Sequence, residues 1–214
     1  MNNQSTQGKV LVISGPFGSG KSTVSSLVAS ALRSAGKAVQ VVALDEVSKQ
    51  VVNESQMLRF ELADTFGEEV LNEDTSLNRS TLADIAFVND QSTMALNKIV
   101  HPPTVELARE HVASALEVEG VPIIEMPFPA THMPGIFEQS DAKSVIWAVK
   151  SHEDARIGRG LSEGYTLKDI LRRMSRQPHE DDYAAVANAV IENNGSLADL
   201  LLTVQINLEA SGIV

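Results

Sequence analysis

The chain has 214 residues, 43% of them apolar, which is enough to bury a full core, and its 17 Lys and Arg against 28 Asp and Glu give a formal charge of −11. This acidity disfavours binding to nucleic acid or to an anionic membrane, and the absence of cysteine excludes disulfides, thiolate nucleophiles and cysteine metal sites. A polar start and the lack of an uncharged apolar run of about 18 residues predict a cytoplasmic protein, with a small molecule as its partner.

The first predicted elements are a strand, a glycine-rich loop and a helix. Lys9–Ser14 is a β-branched apolar run, and residues 22–35 carry apolar side chains at helical spacing. Between them, Gly15–Ser22 reads GPFGSGKS, which matches the phosphate-loop pattern G-x-x-x-x-G-K-[ST] and is followed by Thr23. An ordinary glycine turn is the alternative, but the strand before the loop and the helix after it favour a nucleotide site.

In such a loop the backbone N–H groups turn inward around the β-phosphate, and the helix N-terminus adds partial positive charge. Lys21 would reach the β- and γ-phosphate oxygens as a catalytic group, and the Ser22 hydroxyl would ligate Mg²⁺. ATP is predicted rather than GTP, because no N-K-x-D segment of the guanine-specific kind is present. The predicted nucleotide-binding residues of the loop are Gly15, Phe17, Gly18, Ser19, Gly20, Lys21, Ser22 and Thr23.

Four more apolar runs are predicted to complete a sheet. They are Val39–Leu44, Val121–Met126, Ser144–Val149 and Ala187–Ile191, and a last helix is expected over about 196–210. Near-continuous apolar strands that alternate with helical segments are typical of a parallel sheet covered on both faces. The predicted fold class is therefore α/β, a three-layer P-loop kinase fold with a five-stranded parallel sheet.

The rest of the chain is predicted to add two helical parts to a single domain, 1–214. An insert of about 46–120 should form a helical substrate lobe, and about 151–180 should form a helical lid. The core would take about 8–45, 121–150 and 187–214. The apolar positions of the insert, which fit several helices, are Leu58, Leu62, Phe66, Leu82, Ile85, Ala86, Leu96 and Ile99.

Two carboxylates are predicted at the carboxyl edge of the sheet, where ligands of open α/β sheets bind. Asp45 follows the second strand and is the candidate catalytic group that accepts the proton of a substrate hydroxyl or helps to hold magnesium. A helix cap for residues 46–53 is the alternative for Asp45. Glu125 ends the third strand, and for it an outer-shell magnesium ligand and a buried salt-bridge partner are both open.

Basic residues concentrate in the predicted lid. Leu167, Ile170, Leu171 and Met174 are predicted to form one apolar stripe that leaves the basic side chains off the core face. Arginines that close on a transferring phosphoryl group neutralise its developing charge, so a mobile lid suits kinase chemistry, and a solvated helix face is the alternative. The basic residues of this cluster are Arg156, Arg159, Lys168, Arg172, Arg173 and Arg176.

Several segments beyond the phosphate loop keep the order and separations of a known family. They are Asp45–Val52, Phe66-Gly67, Leu77-Asn78-Arg79, Ile99–Pro102, Glu125–Pro127, Arg156-x-x-Arg159, Arg173–Gln177 and Val190–Gly195. Together with the phosphate loop they resemble the dephospho-coenzyme A kinase family over most of the chain. The resemblance implies a small-molecule kinase that transfers the γ-phosphate of ATP to the ribose 3′-hydroxyl of dephospho-coenzyme A.

The resemblance also implies roles for residues on the acceptor side. By position, Asp45 would be the base or the metal-side carboxylate, and Arg79, Lys98 and His101 would line the acceptor site with it. From the residues alone, Arg79 could equally be a salt-bridge residue that ties the insert together. His101, before two prolines, could equally be a helix cap or a buried, hydrogen-bonded histidine.

On the nucleotide side, the resemblance implies that Arg159 is a catalytic lid arginine over the phosphates. Asn193 and Gly195 would border the adenine. If Arg159 acts only on the transferring phosphoryl group, Arg159→Ala should lower turnover far more than nucleotide affinity.

Some positions depart from the family pattern. Ala43, Asn78, Asn97 and Asn188 stand where the family usually has an acid, and Pro127–His132 replaces a segment that carries a glutamate. Triphosphate chemistry is therefore predicted more firmly than the identity of the acceptor. A kinase of another small metabolite or nucleotide, and a nucleotide-binding paralogue without phosphoryl transfer, are the alternatives.

Overall fold

The computed structural model describes residues 8–132, 136 and 142–213, and a sheet of five parallel strands lies at its centre. The order of the strands across the sheet is β2-β3-β1-β4-β5. The prediction of an α/β fold with a five-stranded parallel sheet is confirmed. The strands are β1 (Lys9–Ser14), β2 (Val39–Ala43), β3 (Val121–Met126), β4 (Lys143–Lys150) and β5 (Ala189–Glu192).

The central strand β1 pairs with β3 on one side and with β4 on the other. Its residues 10–13 are at most 1% exposed, because helices cover both faces of a parallel sheet. At one edge, β5 begins two residues later than predicted. Asn188 explains the delay, since its Oδ1 accepts a hydrogen bond from the N–H of Ile146 at 2.8 Å, where a strand carbonyl would otherwise do so.

Helices connect the strands, and none in the described part of the chain is both long and apolar enough to cross a membrane. Side-chain caps begin several of them: for example, the Thr166 side chain accepts the N–H of Asp169, and Ser196 and Asp199 form a capping box. The helices are α1 (Lys21–Ser34), α2 (Leu44–Glu54), α3 (Gln56–Phe66), α4 (Arg79–Ala86), α5 (Asp90–Glu117), α6 (Glu153–Ser162), α7 (Leu167–Met174), α8 (Glu180–Ala184) and α9 (Leu197–Ser211). Short 3₁₀ turns lie at Glu68–Val70 and Ala130–His132.

The described residues fall into two compact units. The sheet unit contains the residues up to Ala43 and those from His111 onward, and the helical unit is Leu44–Glu110. In the sheet unit, α1 and α9 contribute Leu32 and Val204 to a core built around Trp147 of β4. This core fixes the ends of β1 and β3, where the phosphate loop and Glu125 lie.

The helical unit has an apolar core of its own. Leu62, Phe66, Leu82 and Ala86 are buried in it, as the spacing of apolar residues in the insert predicted. Three more of the predicted positions, Ile85, Leu96 and Ile99, pack against this core while partly exposed. The remaining one, Leu58, is 8% exposed.

Candidate active site

The phosphate loop joins the end of β1 to the first turn of α1, and two of its glycines cannot be replaced without strain. Gly18 and Gly20 have φ values of 71° and 93°, in the left-handed region that side chains rarely adopt. A Cβ on Gly20 would lie 2.1 Å from Nδ2 of Asn193, and one on Gly18 would lie 2.6 Å from the backbone oxygen of Arg156. The spacing of the glycines thus follows from close approach of neighbouring elements as well as from the turn itself.

Three consecutive carbonyls of the loop are held by side chains from distant parts of the chain. Phe17 O accepts a hydrogen bond from Arg156 Nε at 2.7 Å, Gly18 O from Arg159 Nη1 at 2.7 Å, and Ser19 O from Asn193 Nδ2 at 2.9 Å. In a planar trans peptide the N–H group points opposite to the carbonyl. The N–H groups of Gly18 and Gly20 therefore point away from these side chains, as an anion-binding loop requires.

Lys21 and Ser22 open helix α1 and supply the polar side chains of the loop. Lys21 Nζ donates to Pro16 O at 3.1 Å, and Ser22 Oγ donates to Oε2 of Glu125 at 2.8 Å. Glu125 reaches Ser22 because β3 pairs directly with β1, with Glu125 beside Ile13. The sequence prediction placed both residues at the metal, and the structure brings them into contact.

The donor set of Ser22 and Glu125 fits magnesium bound together with phosphate. A hydroxyl and a carboxylate are hard oxygen ligands, and Mg²⁺ usually takes one or two carboxylates while phosphates and water complete its shell. Within the part of the chain that the structure describes, no three His, Cys, Asp or Glu side chains come together as a metal cage. The N–H groups of Gly18 and Gly20, which point away from Arg156 and Asn193, likewise fit a triphosphate.

Arg159 is bound to the phosphate loop and to the end of the sheet. Besides Gly18 O, its Nη1 contacts Ser151 Oγ at 2.9 Å, and its Nη2 donates to Asn193 O at 2.8 Å. Partial burial lowers the pKa of Arg159 below its ordinary value, but a guanidinium stays charged in proteins. In this arrangement the guanidinium stabilises the loop rather than standing free above it.

The segment after β5 meets the loop at Asn193. Asn193 is 7% exposed, and its side-chain amide is committed to Ser19 O. The next residue, Asn194, accepts the N–H of His152 with Oδ1 at 2.7 Å, while Gly195 is exposed just before the cap of α9. Asn193 is therefore a support of the phosphate loop, and the adenine role of Asn193 and Gly195 stays a prediction.

A cleft of about 810 Å³ lies beside this segment in the sheet unit. Its lining includes His152, Arg156, Gln177 and Asn194. The volume falls within the range of about 300–1,000 Å³ that is common for small-molecule sites.

In the helical unit, Asp45 and Arg79 occupy the first turns of two helices. Helix α2 begins at Leu44, so Asp45 lies inside its first turn, exposed, and the alternative that it caps this helix is wrong. Arg79 begins α4 and donates Nη2 to Asn53 Oδ1 at 2.7 Å and to Lys49 O at 3.2 Å. Arg79 therefore links α4 to α2. The alternative prediction expected such a link through a salt bridge, but the acceptors are a side-chain amide and a backbone carbonyl.

Lys98 and His101 lie three residues apart on α5, and such residues share one face of a helix. Lys98 is exposed and His101 is half-buried. Pro102 and Pro103 lie inside α5, which continues to Glu117, so the alternative of His101 as a helix cap is wrong. Substrate contact by Lys98 and His101 stays a prediction.

Comparison with known proteins decides the family. Residues 9–199 match the family model described as dephospho-CoA kinase. The chain belongs to the dephospho-CoA kinase family. A dephospho-CoA kinase of Corynebacterium glutamicum is 33% identical over 189 residues, which are 88% of this chain and 92% of that protein.

Solved structures agree with the fold. A Thermus thermophilus protein is 28% identical, with a TM-score of 0.72, and the match covers 96% of this chain and 98% of that one. A dephospho-CoA kinase of Campylobacter jejuni has a TM-score of 0.57 at 16% identity, covering 94% and 97% of the two chains, and supports the fold alone. The predicted P-loop kinase fold is confirmed.

Two departures from the dephospho-CoA kinase pattern have a structural explanation. Asn78 caps α4, where its Oδ1 accepts the N–H of Thr81 at 3.1 Å, and Asn188 binds the backbone of Ile146. Asparagine and aspartate are equally good helix caps, and both offer the Oδ1 acceptor. At these two positions, the replacement of an acid by asparagine therefore does not indicate a different phosphoryl-acceptor substrate.

The apolar stripe predicted for the lid is wrong in part. Ile170 is fully buried, but Leu167 and Leu171 are 49% and 45% exposed. Helix α7 has only two turns, and it packs against α6 at Gly160, where an added Cβ would lie 2.8 Å from Ile170. Ile170 is therefore buried against α6, Met174 is partly buried, and Leu167 and Leu171 remain largely in solvent.

Three residues without a predicted site role contact the loop or the residues that support it. Ser151 bonds to Arg159 and to Asn193 O, Gln177 accepts the N–H of Phe17 at 2.7 Å, and Tyr165 packs edge-on against the Phe17 ring. Gln177 lies in a segment that carries the family resemblance, which is the one signal that could have drawn attention to it. For Ser151 and Tyr165 no local pattern gives a signal.

Arg159→Ala is expected to weaken nucleotide binding as well as turnover, contrary to the expectation from sequence. The variant removes a charged group with three acceptors, and a hydrogen bond to a charged group is worth about 1.5–3 kcal/mol, or roughly 10- to 100-fold. We expect the Kd for ATP to rise by about this factor, measured by calorimetry. Arg33→Ala, on the exposed last turn of α1, is the control and should bind ATP normally. An unchanged Kd with lowered kcat would restore the purely catalytic role.

Gly20→Ala is expected to destabilise the loop and to reduce ATP binding about 10-fold. A non-glycine residue at positive φ costs about 1–3 kcal/mol, and the new methyl would collide with Asn193. Gly36→Ala is the matched control, because φ at Gly36 is 80° but its Cβ would meet open space. Both variants introduce backbone strain, but only Gly20→Ala adds the collision with Asn193. Thermal unfolding and ATP titration of the two variants therefore separate these effects.

Proposed function

We propose that this chain transfers the γ-phosphoryl group of ATP to the ribose 3′-hydroxyl of dephospho-coenzyme A, giving coenzyme A and ADP. The observation that carries the proposal is the phosphate loop, held in shape by Arg156, Arg159 and Asn193, in a chain that matches the dephospho-CoA kinase family over residues 9–199. No specific feature favours either of the two alternative functions.

In the proposed step the hydroxyl oxygen forms a bond to the γ-phosphorus while the bond from that phosphorus to the β–γ bridging oxygen breaks. The hydroxyl proton passes to the carboxylate of Asp45, which follows the end of β2 by two residues. Lys21 and the loop N–H groups neutralise charge on the phosphates, so that catalysis is chiefly positioning and electrostatic stabilisation.

Magnesium is part of the proposal. Ser22 would hold it through the hydroxyl, and Glu125 from the outer shell, since the two side chains are 2.8 Å apart. When bound, the ion would offset negative charge on the phosphates.

ATP and dephospho-coenzyme A would bind to different parts of one kinase domain. The cleft lined by Arg156 and Asn194 suits the adenosine of ATP, and residues of about 151–180 would act as the lid. Arg79, Lys98 and His101 of the helical unit would contact dephospho-coenzyme A. A cytoplasmic location without nucleic-acid partners belongs to the same proposal, since both substrates are small molecules of central metabolism.

The test is ADP release from ATP with dephospho-coenzyme A, adenosine, other nucleosides or no acceptor. We expect release only with dephospho-coenzyme A, a product that co-elutes with authentic coenzyme A, and loss of activity in EDTA that added Mg²⁺ reverses. ATP binding without acceptor-dependent release would contradict the proposal and favour a nucleotide-binding paralogue. Release with another acceptor would favour a kinase of that metabolite.

A further inference from the structure

The backbone of Phe17 is bound on both sides by residues of the predicted lid. Its N–H donates to Gln177 Oε1 at 2.7 Å, just beyond the end of α7, and its carbonyl accepts from Arg156 of α6 at 2.7 Å. Gln177 lies 160 residues from Phe17 in the chain, so this contact is purely tertiary. Both backbone hydrogen-bonding groups of Phe17 are thus bound to residues of the predicted lid.

The Phe17 ring occupies a niche between the same helices. Tyr165 packs edge-on against it, with ring centroids 5.4 Å apart, and the Arg173 guanidinium lies 4.8 Å from the Tyr165 ring and 5.7 Å from the Phe17 ring. On the α6 side, a Cβ on Gly160 would lie 2.9 Å from Phe17 Cε1. Cation–π and edge-to-face contacts of this kind favour one position of the Phe17 ring.

We propose that Gln177 is a positioning residue that couples the phosphate loop to α7, with Phe17 as the connecting side chain and Arg173 and Tyr165 as its clamp. The Phe17 N–H is bound to Gln177, while the carbonyls of residues 17–19 are bound by Arg156, Arg159 and Asn193. These four hydrogen bonds to residues 17–19 come from the predicted lid and from the segment after β5.

The consequence is a link between nucleotide binding and the lid. Bound nucleotide fixes the conformation of the loop. Through the Phe17–Gln177 hydrogen bond, the ordered loop in turn stabilises the position of α7. The reverse also holds, because coupling between two sites is reciprocal: α7 in place favours the loop conformation that binds phosphate. The inference rests on the proposed function only in taking ATP as the ligand of the loop.

The experiment compares Gln177→Met, which keeps the length of the side chain but lacks the acceptor, with Gln177→Glu, which retains an acceptor oxygen. ATP affinity is measured without acceptor substrate, and hydrogen exchange is followed in residues 15–22 and 167–177 with and without ATP and Mg²⁺. In the wild type, ATP should slow exchange in both segments. Gln177→Met should bind ATP about 3- to 10-fold more weakly, the factor that one neutral hydrogen bond is worth, and should lose the ATP-dependent protection of 167–177 even at saturation.

Gln177→Glu should restore most of that protection, and Gln205→Met, the same substitution on the exposed face of α9, should behave as wild type. Retained ATP-dependent protection of 167–177 in Gln177→Met would overturn the inference, as would an absence of protection in the wild type. If Gln177→Met does not fold, Arg173→Met takes its place with the same expected loss. Because no acceptor is present, a failure to phosphorylate dephospho-coenzyme A would refute the proposed function without touching this result.

Discussion

Asp45→Asn is expected to lower kcat about 10²- to 10⁴-fold, while the affinity for ATP stays the same. The range is the usual contribution of a positioned general base, and asparagine has the shape of aspartate but cannot take up the proton of the acceptor hydroxyl. Because Asp45 lies in the first turn of α2 and is exposed, the substitution leaves no buried group without a partner. The measurement is steady-state ADP release with dephospho-coenzyme A, together with calorimetric titration of ATP.

Glu46→Gln is the matched control for this variant. Glu46 occupies the same first turn and carries the same charge, so both substitutions weaken the favourable interaction with the helix dipole to a similar degree. Glu46 also forms an exposed ion pair with Lys49 at 2.7 Å, and such pairs contribute little to stability. A loss of activity shared by the two variants would indicate a general effect of charge on α2 and would refute the role of Asp45 as the base.

Local sequence patterns were sufficient for the nucleotide half of the fold. β1 and β3 were predicted with the bounds that the structure has, because both are apolar runs with polar or glycine residues at their ends. The phosphate loop was predicted equally well from its glycine pattern. Gly18 and Gly20 are required because their φ values are positive and neighbouring residues lie too close for a Cβ atom. These features depend on a few neighbouring residues, and periodicity and spacing are local signals.

Helix α8 shows where such signals fail. Glu180–Ala184 is a short acidic segment without helical periodicity, and it was not predicted. Tyr183 accounts for its position: the ring is fully buried and the hydroxyl donates to Pro127 O at 2.9 Å. Burial raises the pKa of the Tyr183 phenol, so it remains a donor over the physiological range. The cause is a contact across 56 positions of the chain, which no local pattern contains.

The roles of the arginines could not be read from the sequence for the same reason. A cluster of basic residues next to a phosphate loop suggests contact with phosphate, but Arg156 and Arg159 bind loop carbonyls 139 and 141 positions away. Each guanidinium offers five donors, so the choice among acceptors depends on tertiary placement. For the acceptor side, the sequence offered only the family resemblance, and the roles of Arg79, Lys98 and His101 remain predictions.

Lys21→Met is expected to lower kcat about 10²- to 10³-fold, the usual cost of removing one group that stabilises charge in the transition state. Methionine has a similar length and no charge. The affinity for ATP should fall as well, because the ammonium group would contact β- and γ-phosphate oxygens in the ground state too. ADP release and ATP titration measure the two effects, and Lys37→Met, at an exposed lysine just beyond α1, is the control.

A second variant separates the charge of Lys21 from its hydrogen bond. Lys21 Nζ donates to Pro16 O at 3.1 Å, so Lys21→Met also removes a contact inside the loop and could distort it. Lys21→Gln retains an N–H donor but not the charge. If Lys21 acts on the phosphates, Lys21→Gln should be nearly as inactive as Lys21→Met, because a neutral amide offsets little of the triphosphate charge. Substantial activity in Lys21→Gln would instead mean that the lysine serves the loop through Pro16, and the phosphoryl group would then depend on the backbone N–H groups and on magnesium for its charge balance.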